Sequence, residues 1–187
     1  MAIEVWQADT THSEITFKLR HLILAAIEGR ARLNRAAIRI DPERPARSSI
    51  EAVIDARSLD TGVPERDDHI RSAEFLDAAA HPDIHFRSTS VEPAADGRYL
   101  VKGTLTVKSV AREVSLEVED LGRSRDPHGA SHVKFRAHAS FDRQHFRLHW
   151  NQDLDRGGVV LGDKVEVTIA LEASPAPTAG AAASAGR

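Results

Sequence analysis

Along most of the chain apolar residues fall on every second position, as they do in half-buried strands whose side chains alternate between two faces. Ile15, Phe17 and Leu19 alternate with Glu14, Thr16, Lys18 and Arg20; Ile50, Ala52, Ile54 and Ala56 alternate with Ser49, Glu51 and Asp55, interrupted by Val53. Val101, Leu105 and Val107 stand against Lys102, Thr104 and Thr106, and Val114, Leu116 and Val118 against Glu113, Ser115, Glu117 and Glu119. Val133, Phe135, Ala137, Ala139 and Phe141 alternate with His132, Lys134, Arg136, His138 and Ser140, and Val165, Val167, Ile169 and Leu171 close the series. Between Gly29 and Asp41 the apolar positions pass from odd (Ala31, Leu33) to even (Ile38, Ile40), which predicts a bulge or bend within residues 34–37. The turn signals "DPERP", "PAADG", "DPHG" and "RGG" separate the runs. About eight strands result, the number at which an antiparallel barrel closes around side chains or one small ligand; a two-sheet sandwich is the alternative.

One stretch breaks the alternation: "SLDTGVPERDDHIRSAEFLDAAAHPDIHF", residues 58–86. Pro64 suits a first helical turn, Ile70, Phe75, Leu76 and Ala79 are spaced for one apolar side, and Pro82 stops the segment. Ser72 with Glu74 suits the start of a second short helix. Residues 64–80 are therefore expected as two short helices outside the sheet, over one barrel end. The final "SPAPTAGAAASAGR" has no side chain large enough to anchor it, so a domain over residues 1–173 and a disordered tail over 174–187 are expected.

Composition narrows the function. A chain of 187 residues, 41% hydrophobic, suits one domain with one core. Its formal charge of -3 does not suggest a nucleic-acid partner. The lack of cysteine excludes disulfides, thiolate nucleophiles and cysteine metal ligands. "MAIEVWQADTTHSEITF" carries acidic residues where a secretory signal needs a basic region followed by an unbroken apolar run, so a cytoplasmic location is expected. The run "LILAAI" falls far short of the roughly 20 residues of a spanning helix, and no stable membrane insertion is expected.

Candidate chemistry is sparse. His145 and His149 lie four apart, as do His81 and His85, but neither pair has a third ligand in a recognised spacing, so no metal site and no cofactor is expected. Arg66, Asp67, Asp68, His69 and Arg71 offer acid, base and anion-binding groups, or else a solvated helix face with ion pairs worth about 0.3–0.5 kcal/mol each. No nucleophile elbow, phosphate loop or dinucleotide fingerprint occurs, so catalysis is the weaker reading. His21 continues the inward parity of Ile15, Phe17 and Leu19, a buried polar group at a strand end that needs a partner. Ala31, Ala52, Ala56, Gly103, Ala137 and Ala139 share faces with Phe17, Phe86, Phe135 and Phe141. That mixture suits either an apolar void or a filled core of large residues against small.

Four segments, "DTTHSEITFKLRHL" at 9–22, "SLDTGVPERDDHIRSAEFLDAAAHPDIHFRS" at 58–88, "YLVKGTLTVKSVAREVSLEV" at 99–118 and "LGDKVEVTIALEA" at 161–173, resemble the YceI-like family in their order. Together they cover nearly all of the chain except the tail. The resemblance implies an all-β, eight-stranded antiparallel lipocalin-like barrel with a short helical insertion. It also implies a polyisoprenoid or other long-chain amphiphile bound inside, and a homodimer. Residues 58–86 then read as a lid-like insertion rather than a catalytic centre. The chain departs from the family in the turn that commonly carries glycine, threonine and proline, where it has Ser109, Ala111 and Glu113, and after "FDRQHF", where Arg147 replaces the usual glycine. Many relatives carry an export signal, so a periplasmic carrier role does not transfer.

The expected wall residues of such a cavity are Phe17, Leu19, Ile54, Phe86, Val101, Leu105, Phe135, Ala137, Ala139 and Phe141. The expected mouth residues are His21, Arg66, His69, Arg71 and Arg143. The function expected is non-enzymatic lipid binding for carriage, storage or sequestration. The alternatives are an enzyme acting on a small amphiphile through His21, His69 or Asp67, and a dimeric interaction module with a packed interior.

Overall fold

The computed structural model describes residues 3–21, 25–151 and 161–177, with His21 described in its backbone only. Among these residues nine strands form one antiparallel sheet: β1 (Glu4–Ala8), β2 (Glu14–His21), β3 (Ala25–Ile40), β4 (Ser49–Asp60), β5 (Asp83–Pro93), β6 (Arg98–Val107), β7 (Val110–Arg125), β8 (Ser131–Asp142) and β9 (Leu161–Pro175). Pairing of β3 with β4 closes the sheet on itself. Both β1 and β2 pair with β3 on one side and β9 on the other, so they fill one barrel position in succession. The result is a closed eight-stranded barrel. Its broken position is turned at Asp9, whose Oδ1 accepts from the N–H groups of Thr11 and His12 at 2.9 and 3.2 Å.

The change of parity in β3 is a register shift against β4 between Leu33 and Arg35. Buried positions pass there from Leu33 to Ala36 and Ile38, so the extra residue keeps the apolar row inward on both sides of the bulge.

The insertion contains one helix, α1 (Pro64–Arg71), with Pro64 in its first turn as the sequence suggests. Asp67 is buried and accepts from the N–H of Thr61 at 2.9 Å and from its hydroxyl, which fastens α1 to the chain leaving β4. The second expected helix does not form. Ser72 ends α1 instead of starting another, its N–H and Oγ both donating to the His69 carbonyl at 3.1 and 2.8 Å. The Lys108 ammonium donates to the carbonyls of Ala73 and Phe75 at 2.9 and 3.0 Å, and Asp77 has φ 49°, so tertiary bonds and a left-handed residue replace helical ones. Lys108 thereby ties residues 72–80 to the β6–β7 turn.

Strand β9 runs two residues past position 173. Ser174 and Pro175 belong to β9 and stand opposite Gln7 and Trp6, and the Ala176 N–H donates to the Val5 carbonyl at 2.9 Å. Residues 178–187, the rest of the expected tail, lie outside the described residues. A chain ending at Ala173 loses this pairing to β1 and is expected to lose about 1–2 kcal/mol in urea denaturation relative to one ending at Pro177. Equal midpoints for the two truncations would show that the β1–β9 extension contributes nothing.

Candidate ligand cavity

The inward rows enclose a cavity of about 590 Å³, within the roughly 300–1,000 Å³ of ligand sites. The interior is therefore not filled by its own side chains, and the packed-core alternative does not hold. Small residues leave the space: Ala137 and Ala139 between Phe135 and Phe141 on β8, and Ala31 and Ala52 on β3 and β4, all reach the cavity wall.

Two glycines decide where the large rings go. A Cβ on Gly29 would stand 2.4 Å from Cζ of Phe17, and one on Gly103 would stand 2.5 Å from Cζ of Phe86. Each ring is pressed against the wall over a glycine, Gly29 facing Phe17 directly in the β2–β3 register, which leaves the centre of the lumen open. Val133 and Phe141 both line the cavity from β8. With a rise of ~3.3 Å per residue and a strand tilt of 35–45°, that makes the cavity about 20 Å long.

At the α1 end, Glu65, Arg66, His69, Phe75 and Trp150 border the cavity. The helix places Glu65, Arg66 and His69 there, and Arg66 is held by donating from Nε to Thr61 Oγ1 (2.8 Å) and from Nη2 to the Thr61 carbonyl (3.1 Å). His69 meets Trp150 edge-on at 4.5 Å between centroids and Phe75 at 6.3 Å. Its Nε2 is shielded from solvent and lies 3.2 Å from Glu74 Oε2 without a well-directed hydrogen bond.

All ten expected wall residues, Phe17 through Phe141, line the cavity. Among the expected mouth residues, Arg66, His69 and Arg143 do so, whereas Arg71 does not: its guanidinium donates to the Leu59 carbonyl (2.9 Å) and to Asp68 (2.8 Å), joining α1 to β4. The backbone of His21 stands opposite Ala25 and Leu161, and its side chain lies outside the described residues.

Arg143 is not an open-mouth residue. Only 1% exposed, it donates to the carbonyls of Gly162 (3.0 Å), Trp150 (2.9 Å), Leu161 (3.3 Å) and Leu148, with Asp163 at 3.1 Å. Burial pulls it below the ordinary arginine value while Asp163 and Asp142 pull the other way. Its donors are spent on the chain, fastening residues 148–150, including the Trp150 segment of the rim, to the start of β9.

The opposite end carries polar groups that the sequence reading missed. The inward row Val114, Leu116 and Val118 of β7 continues as Asp120 and, after a register shift, as Arg123. Gly122, with φ 93°, was the available signal for that bulge. Arg123 pairs with both carboxylate oxygens of Glu4 (3.2 and 2.7 Å) and lies over Trp6, whose indole N–H donates to the same carboxylate at 3.1 Å. The Arg123 hydrogen bond holds Glu4 below the usual carboxylate range, so its contribution to stability is present above the ordinary glutamate value and is lost as pH falls through the lowered one.

Part of the remaining candidate chemistry has structural partners. Asp67 is taken up by Thr61, His81 Nδ1 lies 3.2 Å from Ser109 Oγ, and His149 Nδ1 meets Gln144 Oε1. Among the described residues no group of three or more histidines and carboxylates is arranged to hold a metal ion.

Two substitutions test these assignments. Arg143→Ala leaves several carbonyls without their donor and is expected to cost roughly 3–5 kcal/mol in chemical denaturation; a loss below about 1 kcal/mol, the scale of a surface contact, would contradict the role of this side chain as a fastener. Arg147 has φ 60°, the left-handed region that favours glycine. Arg147→Gly is expected to raise stability by up to about 1 kcal/mol, and a loss would show that the arginine makes compensating contacts.

A model of the YceI-like domain matches residues 6–173. A UPF0312 protein of Vibrio cholerae serotype O1 is 37% identical over 124 residues, 66% of this chain and 66% of that protein's length, just under two thirds of it. A UPF0312 protein of Yersinia enterocolitica is 34% identical over 137 residues, 73% of this chain and 71% of its own. Among solved structures, BcnA of Burkholderia cenocepacia superposes with a TM-score of 0.76 at 23% identity, covering 88% of this chain and 98% of its own. A polyisoprenoid binding domain from Saccharophagus degradans, described as implicated in plant cell wall breakdown, superposes with a TM-score of 0.60 at 15% identity, covering 91% and 98%. These likenesses show the same barrel.

Proposed function

The chain belongs to the YceI-like family, and from that premise and the open barrel we propose that it binds a polyisoprenoid or similar long-chain amphiphile for carriage, storage or sequestration. The observation that carries this reading is the cavity of about 590 Å³, whose middle is walled by aliphatic and phenylalanine side chains and whose charged groups gather at its ends. Such a space selects a long apolar chain: each 100 Å² of chain surface withdrawn from water contributes about 2.5 kcal/mol, set against the cost of immobilising the ligand. The name of the Saccharophagus neighbour supports the same ligand class.

In this reading the head group sits at the α1 rim. Arg66 spends Nε and Nη2 on Thr61, which orients the guanidinium and leaves Nη1 for a ligand. Glu65 and the Trp150 indole supply an acceptor and a donor beside it. The proposed role is binding without chemistry on the ligand.

Ala137→Phe or Ala139→Phe places a ring in the lumen. Each variant is expected to lose binding of a fluorescent long-chain amphiphile while the unfolding free energy from chemical denaturation falls by less than the roughly 1–3 kcal/mol of an overpacked core. Full affinity in a folded variant would show that the amphiphile binds elsewhere and would overturn the reading.

A further inference from the structure

We propose that the barrel has a second opening, opposite α1, through which a hydrocarbon chain longer than the cavity passes out into solvent. This inference rests on the lipid-binding reading and specifies the class of ligand: chains that exceed the barrel in length.

One continuous cavity is bordered by Glu65 and Arg66 at the α1 end and by Ser48, Tyr99, Asp120 and Arg123 at the other. An end sealed in apolar packing would not border ionised side chains, because each would pay a large desolvation cost without water or a full set of partners. Asp120 is exposed and still borders the cavity, which supports an opening at that end.

Two apolar clusters reach that end, one with Val91, Val101 and Val118 against which Tyr99 packs, the other around Trp6. Trp6, Ile38, Val133 and Ala173 form a buried cluster from β1, β3, β8 and β9, and the Glu4–Arg123 pair lies over Trp6. The other side of the rim is made by Tyr99 of β6, Asp120 of β7 and the chain between β3 and β4. That connection is rigid: Asp41, 3% exposed, accepts from the N–H groups of Glu43 and Arg44 at 3.1 and 2.9 Å, and its own N–H donates to Ser48 Oγ at 3.1 Å. The aperture is thus framed between a fixed connection and two strand ends, clear of the Trp6 cluster.

Capacity makes the opening matter. The lumen is about 20 Å long, so an extended chain much longer than that cannot lie wholly inside it. With a blind end, the surplus would push the head group away from Arg66. With two openings the surplus leaves at the Tyr99 rim and the head keeps its place.

The test uses geranylgeraniol and solanesol, each esterified at its hydroxyl with the same small diazirine-bearing acid, with the purified full chain. A through-channel predicts affinities within about threefold of each other and photolabelling of the same rim by both, at residues 65–75 or 148–150. Loss of the rim label for solanesol while geranylgeraniol keeps it would overturn the second opening and leave the lipid-binding reading intact. A drop of more than about tenfold in solanesol affinity would do the same. Failure of geranylgeraniol itself to bind would overturn the lipid-binding reading, and the channel with it.

Discussion

Closure of the sheet by the β3–β4 ladder is the constraint on which the rest depends, because it fixes the width of an interior that the inward side chains must then fill or leave empty. An open sheet can adjust its packing partner to the size of its residues; a closed one cannot. Here the inward positions include Ala31, Ala52, Ala137 and Ala139, and the rings of Phe17 and Phe86 are drawn back over Gly29 and Gly103. The cavity is the difference between the volume set by closure and the volume those residues supply.

Polar groups are excluded from the middle of the barrel by the same geometry and accumulate where strands end. They do two kinds of work. Arg143, Arg71 and Asp67 satisfy main-chain groups and hold the α1 rim in shape, while Glu65, Arg66 and His69 border the cavity on that frame. At the other end the Glu4–Arg123 pair over Trp6 secures β1 to the β7 edge, although β1 and β7 are not neighbours in the sheet. A buried arginine fully engaged with carbonyls is rigid, and a rigid rim costs less entropy when a ligand is bound.

The alternating rows were legible in the sequence because period two survives wherever one face of a strand is buried. Nine of the ten wall residues, all but Phe86, stand in those rows, and the bulge where Leu33 gives way to Ala36 and Ile38 follows from the same pattern. Rim residues were less legible, since their roles depend on which carbonyls the fold brings near: all three arginines bond to main chain, but Arg66 and Arg143 border the cavity while Arg71 is spent on Leu59 and Asp68 away from it. The second helix failed for a related reason, because the bonds from Lys108 to Ala73 and Phe75 are tertiary and no local pattern announces them. The openness of the lumen was undecidable from residue sizes alone, for the placement of Phe17 and Phe86 over glycines is a matter of cross-strand register.

The central claim is that this space exists to hold a hydrocarbon chain, and native mass spectrometry of the protein as purified from its own host, followed by organic extraction, tests it most directly. The account predicts a bound mass in the range of a long-chain amphiphile, one per barrel, released into the organic phase. A folded barrel that shows only the mass of the chain itself, yields no lipid on extraction and takes up none when offered polyprenols would contradict it.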